Sequence, residues 1–272
     1  MPFTEYIPSG GLKDYIAAYW VRKTDRREKT SGRRVYADGC SDIIVNTGDS
    51  IAWFNPMAHA DLIIPLHPGF MYLGGTMTAY GVMNSMAGCT LTGIRFRPGG
   101  FYALYGSPME AVVDRVIEFP EKELLPLMEE EEGLAARLDT YFSAKKITGA
   151  NDFASIYNVI HLSGEKLSVD ELSRICHVSN RTMERIFKKN VGIPPKEFIS
   201  IVRFQKVLKR LRQMGAHDVA QGVSEESLMR IAFELGYYDH AHLTNEFKKY
   251  AGILPSELSH FYKTGIARGL YF

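Results

Sequence analysis

The chain has 272 residues, 46% of them hydrophobic and 23% charged, which is the composition of a soluble globular protein with room for two ordinary domains. Its longest apolar runs are short and interrupted by Gly or Pro, so the sequence excludes a membrane-spanning helix. The net charge of +1 conceals an asymmetry, because residues 1–150 hold 15 Lys and Arg against 18 Asp and Glu, whereas residues 151–272 hold 17 against 13. A basic half joined to an acidic half indicates a nucleic-acid-binding module attached to another domain.

The cysteines and the first residues bear on the compartment. Cys40, Cys89 and Cys176 are scattered and odd in number, which is typical of buried thiols in a reducing compartment rather than of a disulfide framework. The opening segment, MPFTEYIPSGG, has no basic stretch followed by an apolar one. We therefore expect a cytoplasmic protein.

The first 118 residues carry strand and turn signals. Short apolar or alternating runs are bounded by Gly, Pro, Asn and Asp, namely DGCSDIIVNTGD, AWFNP, ADLIIPLHPGF, MYLGGT and LTGIRFRPGG. Helical periodicity then appears in SPMEAVVDRVIEF and in EKELLPLMEEEEGLAARLDTYF, and KKITGAND is the best linker candidate. Strands followed by helices predict an α+β chain of two domains, residues 1–150 and 151–272.

A first pair of helices is predicted after residue 168. Ser168 and Glu171 have the spacing of a capping box, and Ser179 caps a second helix that Gly192 can close in the left-handed conformation. The inner stripes are Leu172, Ile175 and Cys176, then Met183, Ile186, Phe187 and Val191. The second helix leaves a mostly basic outer stripe: Asn180, Arg181, Glu184, Arg185 and Lys188. Such a pair is typical of a helix-turn-helix unit, whose second helix enters the major groove.

The pair is repeated. FKKNVGIPPKEF, from Phe187, returns as FKKYAGILPSEL, from Phe247, with seven identities in the first eleven positions. The second copy has Asp239 as its N-cap and one additional residue in its turn. Its outward residues are His240, Ala241, Thr244, Asn245 and Lys248. Between the copies, PKEFISIVRFQKVLKRLRQ is predicted as an amphipathic spacer helix. Roughly seventeen helical residues would span about 25 Å, a length of the right order for two units in major grooves about 34 Å apart.

These segments carry a family resemblance. LGYYDHAHLTNEFKKYAGILPSEL and VSNRTMERIFKKNVGIPPKEFI, with Arg203 of the spacer, make residues 155–262 resemble the tandem helix-turn-helix domain of the AraC/XylS family of bacterial transcription regulators. The resemblance implies base-reading positions at Arg181, Glu184, Arg185, His240, Ala241, Thr244 and Asn245. It also implies an N-terminal sensing or dimerising domain, commonly a small cupin-related β-barrel. The stretch from Gln213 to Ser227 is longer than the family pattern, and we hypothesise that it is a hinge.

Side-chain chemistry assigns roles to these positions. Arg181 and Arg185 can grip guanine with two hydrogen bonds, and Asn245 suits adenine. Glu184 can accept from a cytosine amine or pair with a cation on its own helix. The remaining expected contacts, made to the DNA backbone, are those of Asn180, Lys188, Lys189, Lys248 and Lys249.

The N-terminal half offers a weaker ligand-site hypothesis. ADGCSDIIVNTGD, LGGTM and LTGIRFRPGGFYALYGSPMEAVVDRV resemble an N-terminal domain found on some AraC-type proteins. Strand alternation places Arg95 and Arg97 on one face, where they would attract a carboxylate or phosphate, or else face solvent or form salt bridges. Trp20, Trp53 and Tyr72 are candidates for the wall of an apolar pocket or for the core.

The sequence therefore predicts a DNA-binding regulator, not an enzyme, with double-stranded DNA as partner and no cofactor or metal. HAHLTNE has the HxHxxxE spacing of cupin metal ligands, but on a helix its two histidines diverge by about 200°. Further candidate partners are a small-molecule effector, RNA polymerase and a second copy of the chain. Two alternatives stay open: a cupin-like enzyme and a protein-interaction module, each with the helices as accessory. Activation and repression are not distinguished.

Overall fold

A computed structural model describes residues 3–25, 30–147, 152–163, 167–213 and 225–258. Strands occupy the part of the chain up to Glu118. They are β1 (Phe3–Tyr6), β2 (Ile16–Lys23), β3 (Thr30–Val35), β4 (Ser41–Asn46), β5 (Ala52–Pro56), β6 (Ile64–Leu66), β7 (Met71–Gly74), β8 (Gly81–Met86), β9 (Thr90–Phe96) and β10 (Val116–Glu118).

The strands form two antiparallel sheets that pack against each other. One sheet has the order β1-β2-β9-β4-β7-β10, and the other has the order β3-β8-β5-β6. Their facing side chains form one apolar cluster, which includes Trp20, Val35, Ile44, Phe54, Tyr72, Met83 and Leu91. The predicted β-barrel-like N-terminal domain is confirmed.

Short helices cover the other face of the six-stranded sheet. They are α1 (Gly100–Tyr105), α2 (Leu125–Met128) and α3 (Leu134–Ser143). Phe96 of β9 packs edge-on against Phe101 of α1 and Phe142 of α3. Because both faces of β9 are buried, its neighbouring residues point alternately into the barrel and under these helices.

The helix predicted over SPMEAVVDRVIEF is wrong. The segment forms a 3-10 turn at Met109–Val112, bends, and continues as β10 beside β7. Asp114 adopts a positive φ of 54°, and its carboxylate accepts from the Thr78 amide at 2.7 Å and the Thr78 hydroxyl at 2.6 Å. These long-range bonds turn the chain in a way that local periodicity does not reveal. Similarly, the single helix expected over residues 121–142 is two helices, α2 and α3, with Gly133 at φ 70° before the second.

The helical half follows the predicted elements closely. Its helices are α4 (Asp152–Leu162), α5 (Val169–Ile175), α6 (Asn180–Asn190), α7 (Pro195–Gln213), α8 (Glu225–Glu234) and α9 (His240–Ala251). The capping box at Ser168 forms in both directions, and Ser179 and Asp239 cap α6 and α9. Gly192 and Gly252 follow α6 and α9 with φ of 83° and 70°, the left-handed closure that glycine favours.

The inner stripes pack as one core, with one exception. Ile175, the last residue of α5, was expected on its inner face but is 52% exposed, whereas the next residue, Cys176, packs against the core. The spacer helix α7 has 19 residues, hence a length of about 28 Å. The proposed hinge from Gln213 to Ser227 lies mostly outside the described residues, which stop at 213 and resume at 225.

The two halves share that core. Ala37, in the turn before β4, is fully buried within the helical cluster, and Tyr36, Met77 and Val113 pack against it. The helical units are therefore seated on the β domain through apolar side chains of both halves.

Candidate DNA-binding surface and cavity

Helix α6 carries the base-reading positions expected in the first unit, and α9 carries those of the second, so we call them the first and second reading helices. One side of α6 is buried and the other is exposed to solvent. Met183 and Phe187 have no exposed surface, while Arg181, Arg185, Lys188 and Lys189 are exposed. Within the described part of the chain, these four cations have no hydrogen-bond or ion-pair partner. The helix thus presents uncommitted positive charge to solvent.

Two further residues flank that surface. Asn180 is exposed, and its amide nitrogen donates to Asp170 Oδ1 at 2.5 Å, which ties the start of α6 to α5. Glu184 is half-buried and, among the described residues, has no ion-pair partner. Of its two expected roles, pairing with a cation on its own helix is not formed here.

The second reading helix, α9, has a different character. Ala241 and Asn245 are exposed, and His240 and Thr244 are half-buried. These expected base-reading positions include no Lys or Arg, unlike those of the first unit. Lys248 is exposed on the next turn. HAHLTNE lies in this helix, and the described residues hold no group of three or more His, Cys, Asp or Glu placed to bind a metal ion.

Ion pairs tie α9 to the spacer helix. Arg203 donates to Glu246 at 2.7 Å and lies 4.3 Å from the centre of the Tyr237 ring. Burial alone would lower the pKa of Arg203, but Glu246 more than offsets it and the pKa is raised. Lys249 donates to Glu197 at 2.5 Å. The second lysine of this copy is therefore engaged within the protein, unlike Lys189.

A small cavity of about 60 Å³ lies between the two sheets. Its apolar wall includes Trp20, Ile44, Phe54, Met83 and Leu91, and its charged lining consists of Arg22, Asp38, Asp42, Arg95 and Arg115. At that volume it accommodates a few water-sized groups.

Arg95 is the centre of the charged wall. It is 4% exposed, grips Asp42 with two hydrogen bonds of 3.1 and 3.0 Å, and donates to Asp38 at 2.7 Å. The Trp20 indole also donates to Asp42, at 3.1 Å. Burial raises the pKa of Asp38, although Arg95 opposes that shift. Arg95 is thus held in salt bridges, one of the alternatives open from the sequence.

The other expected pocket residues are dispersed. Arg97 lies beyond the end of β9, is exposed, and donates to the Lys13 carbonyl oxygen at 2.6 Å. Trp53 is half-buried on β5 beside the lining residue Phe54, and Tyr72 is buried with its hydroxyl accepting from the His67 amide. Of the five candidates, Trp20 and Arg95 line the cavity.

Sequence reasoning missed Asp38 and Asp42. The signal was present in DGCSDIIVN, because an aspartate at an inward position of a buried strand requires a partner. That partner, Arg95, lies in a strand 53 residues from Asp42. Only the pairing of β4 with β9 brings them together.

Family comparisons match the two halves separately. Residues 4–118 match a domain of unknown function, DUF6597, and residues 172–260 match a helix-turn-helix domain. In the described part of the chain, no helix has both the length and the apolar composition needed to cross a bilayer.

Relatives and solved structures agree with this division. An uncharacterized HTH-type transcriptional regulator of Haemophilus influenzae is 30% identical over 89 residues, 33% of this chain and 26% of its own length. The HTH-type transcriptional regulator ArgR of Pseudomonas aeruginosa is 27% identical over 151 residues, 54% of this chain and 38% of its own. The matches thus span well under half of either relative. The apo structure of a ToxT variant from Vibrio cholerae shares the fold, with a TM-score of 0.50 and 13% identity over 94% of this chain and 99% of that one.

Proposed function

We propose that this chain is a transcription regulator of the AraC type and that it controls transcription by binding double-stranded DNA with α6 and α9 in neighbouring major grooves, a proposal that the match of residues 172–260 to a helix-turn-helix domain supports. The observation that carries the proposal is the exposed outer face of both reading helices. Their inner faces are buried in a shared core, while Arg181, Arg185 and Asn245 are exposed and without partners among the described residues. A rigid helix with an uncommitted polar face is what groove reading requires.

The roles follow from chemistry. Arg181 and Arg185 read guanine, Asn245 reads adenine, and Glu184 accepts from a cytosine amine. His240, Ala241 and Thr244 complete the base-reading surface of the second unit. The contacts to the DNA backbone come from Asn180, Lys188, Lys189, Lys248 and Lys249. For its contact, Lys249 must first break its ion pair with Glu197.

The spacer helix sets the register. At about 28 Å, α7 is slightly shorter than the 34 Å between successive major grooves, and Arg203, near the middle of α7, bonds to Glu246, near the middle of α9. We place the domain boundary at residue 150, giving an N-terminal domain over 1–150 and a DNA-binding domain over 151–272.

The cavity in the β domain is the proposed effector site. Its lining holds three arginines against two aspartates, and Arg115 is exposed, with no partner for its guanidinium among the described residues. A small molecule with an acidic group is the ligand that this charge favours. RNA polymerase and a second copy of the chain are proposed as further partners, and the chain is proposed to act without enzymatic chemistry.

A gel-shift titration tests the proposed function. With a pool of random duplexes as probe, we expect the logarithm of the affinity to fall steeply and linearly with the logarithm of the salt concentration, because phosphate contacts release counterions. A control variant, Lys122→Ala, changes an exposed lysine of the β domain and should leave the slope unaltered. Binding that is insensitive to salt, or no binding, would instead favour a protein-interaction module.

A further inference from the structure

The turn between β3 and β4 faces the cavity on one side and the helical half on the other. Asp38 and Cys40 line the cavity, whereas Ala37 and Gly39, which alternate with them, meet the helical half. The Ala37 amide donates to the Tyr250 carbonyl oxygen at 3.3 Å, and the Ala37 carbonyl oxygen accepts from the Gln205 side chain at 2.6 Å. One short turn therefore touches the cavity, the spacer helix and α9.

Gly39 shows how closely this turn approaches the spacer helix. Its φ is +80°, and a Cβ at this position would lie 2.7 Å from the ring of Phe198 on α7. A real Cβ does not approach an atom so closely, so a movement of the turn presses directly on α7.

Residues 74–80 make a second connection of the same kind. Gly74, Gly75 and Met77 line the cavity, and Met77 also packs against the helical core. At the end of the segment, the Tyr80 amide donates to the Lys249 carbonyl oxygen at 3.2 Å. The Tyr80 ring lies against Gly252, where a Cβ would be 2.4 Å from it.

Both connections end on the last turn of α9. The final carbonyl groups of a helix have no partner within the helix, and here Lys249 and Tyr250 receive amides of the β domain. The end of α6 is held differently, by packing of Gly192 against Met109 and Val113. Among the described residues, the β domain thus caps the end of the second reading helix with hydrogen bonds and contacts the end of the first by packing.

The cavity is too small to accept a ligand without moving its wall. At about 60 Å³ it holds only a few non-hydrogen atoms. An acidic ligand would compete for Arg95 with Asp38, which has one bond to that arginine, rather than with Asp42, which has two. Release of Asp38 would move Ala37 and Gly39, its chain neighbours.

We propose that residues 36–40 and 74–80 transmit occupancy of the cavity to the end of α9, so that the effector alters the placement of the second reading helix and not of the first. This inference rests on the proposed effector site. A ligand acts here only through its different affinity for the capped and uncapped arrangements of α9.

Hydrogen exchange of the full-length chain tests the coupling without DNA or an identified effector. Asp38→Asn weakens the bond to Arg95, and we expect exchange at least tenfold faster at the Ala37 and Tyr80 amides and along residues 240–252. Exchange along residues 180–190 should stay unchanged. The matched control is Asp139→Asn, which neutralises a carboxylate that accepts from the Tyr19 hydroxyl and the Ser9 amide. It should leave the Ala37, Tyr80 and α9 amides unaffected.

Each outcome of these experiments either supports or overturns the proposed route. Faster exchange limited to residues 36–42, or spread equally over both reading helices, would overturn the proposed route. If Asp38→Asn does not fold, Gln205→Ala perturbs the route from the helical side. Because coupling is reciprocal, that variant should speed the reaction of Cys40, in the cavity wall, with a small thiol reagent at least threefold, as read by mass spectrometry. An unchanged Cys40 rate would contradict the route. A protein that binds no DNA but shows these changes would refute the proposed function and keep the coupling.

Discussion

The two helix-turn-helix units share a sequence pattern but differ in how they are committed. The first presents Arg181, Arg185, Lys188 and Lys189 free of partners among the described residues. In the second, Lys249 forms an ion pair with Glu197 and Glu246 forms one with Arg203, and the last carbonyl groups of α9 accept from amides of the β domain. The difference teaches that two copies of one sequence pattern can be held differently, which is why we propose that the first unit supplies most of the charge that attracts DNA and that the second is the one whose placement the β domain alters.

The largest expected effect concerns the first unit. Arg181→Ala combined with Arg185→Ala removes two bidentate contacts of about 1–3 kcal/mol each, so affinity for the selected DNA site should fall roughly 30-fold or more. Asn245→Ala, in the second unit, removes one such contact and should cost about half as much free energy. Gel-shift titrations on the same duplex measure both. Equal losses from the two units would break the comparison.

The spacer helix allows a matched test of how the second unit is held. Arg203→Ala removes the arginine that pairs with the largely buried Glu246 and should lower the free energy of unfolding by about 3 kcal/mol. Arg210→Ala removes an exposed pair with Glu234, 3.7 Å apart, and should cost less than about 1 kcal/mol. Urea denaturation gives both values. A similar cost for the two variants would show that Arg203 does not anchor α9.

Two glycines in the left-handed conformation, Gly192 after α6 and Gly133 before α3, test how α6 packs on the β domain. Gly192→Ala forces a Cβ to within 2.6 Å of the Met109 carbonyl oxygen at a positive φ, so we expect a loss of about 2–3 kcal/mol in stability. Gly133→Ala has a similar φ of +70° and meets only the tip of Arg137 at 3.2 Å, which limits its cost to about 1 kcal/mol. Thermal denaturation ranks them, and a Gly192→Ala protein as stable as the Gly133→Ala protein would mean that α6 is not seated as described.

The smallest expected effect distinguishes the two lysine pairs. Lys189→Ala should reduce the salt slope of DNA binding by about one unit, because this lysine is free to meet a phosphate. Lys249→Ala should change the slope by less, since Glu197 already neutralises that charge. Salt titrations of the two single variants provide the measurement. A larger change for Lys249 would reverse the assignment of the two units.

The helical half could be predicted because its signals are local. The capping box of Ser168 with Glu171 spans three residues, and Gly192 closes α6 within the sequence that forms it. The pairs that distinguish the two units are distant along the chain: Arg203 with Glu246 is separated by 43 residues and Lys249 with Glu197 by 52. No periodicity within one helix reports such pairs.

The cavity also depends on pairs of residues that are distant along the chain and that no local pattern reports. Strand alternation placed Arg95 and Arg97 on one face but could not identify their partners, because the bond from Arg95 to Asp38 joins residues 57 apart through the order of the strands in the sheet. Arg97 follows the end of β9, so the alternation that linked it to Arg95 no longer applies. The short helix expected over residues 107–119 failed because Asp114 bonds to Thr78 of a different segment.

Selection of bound duplexes from a random pool by the full chain tests the central claim most directly. The account predicts two enriched motifs whose centres lie about 10 base pairs apart, one helical turn, with guanines prominent in the motif read by α6 and lost in the Arg181→Ala, Arg185→Ala variant. A single enriched motif, or a pool that shows no enrichment, would contradict reading by two units.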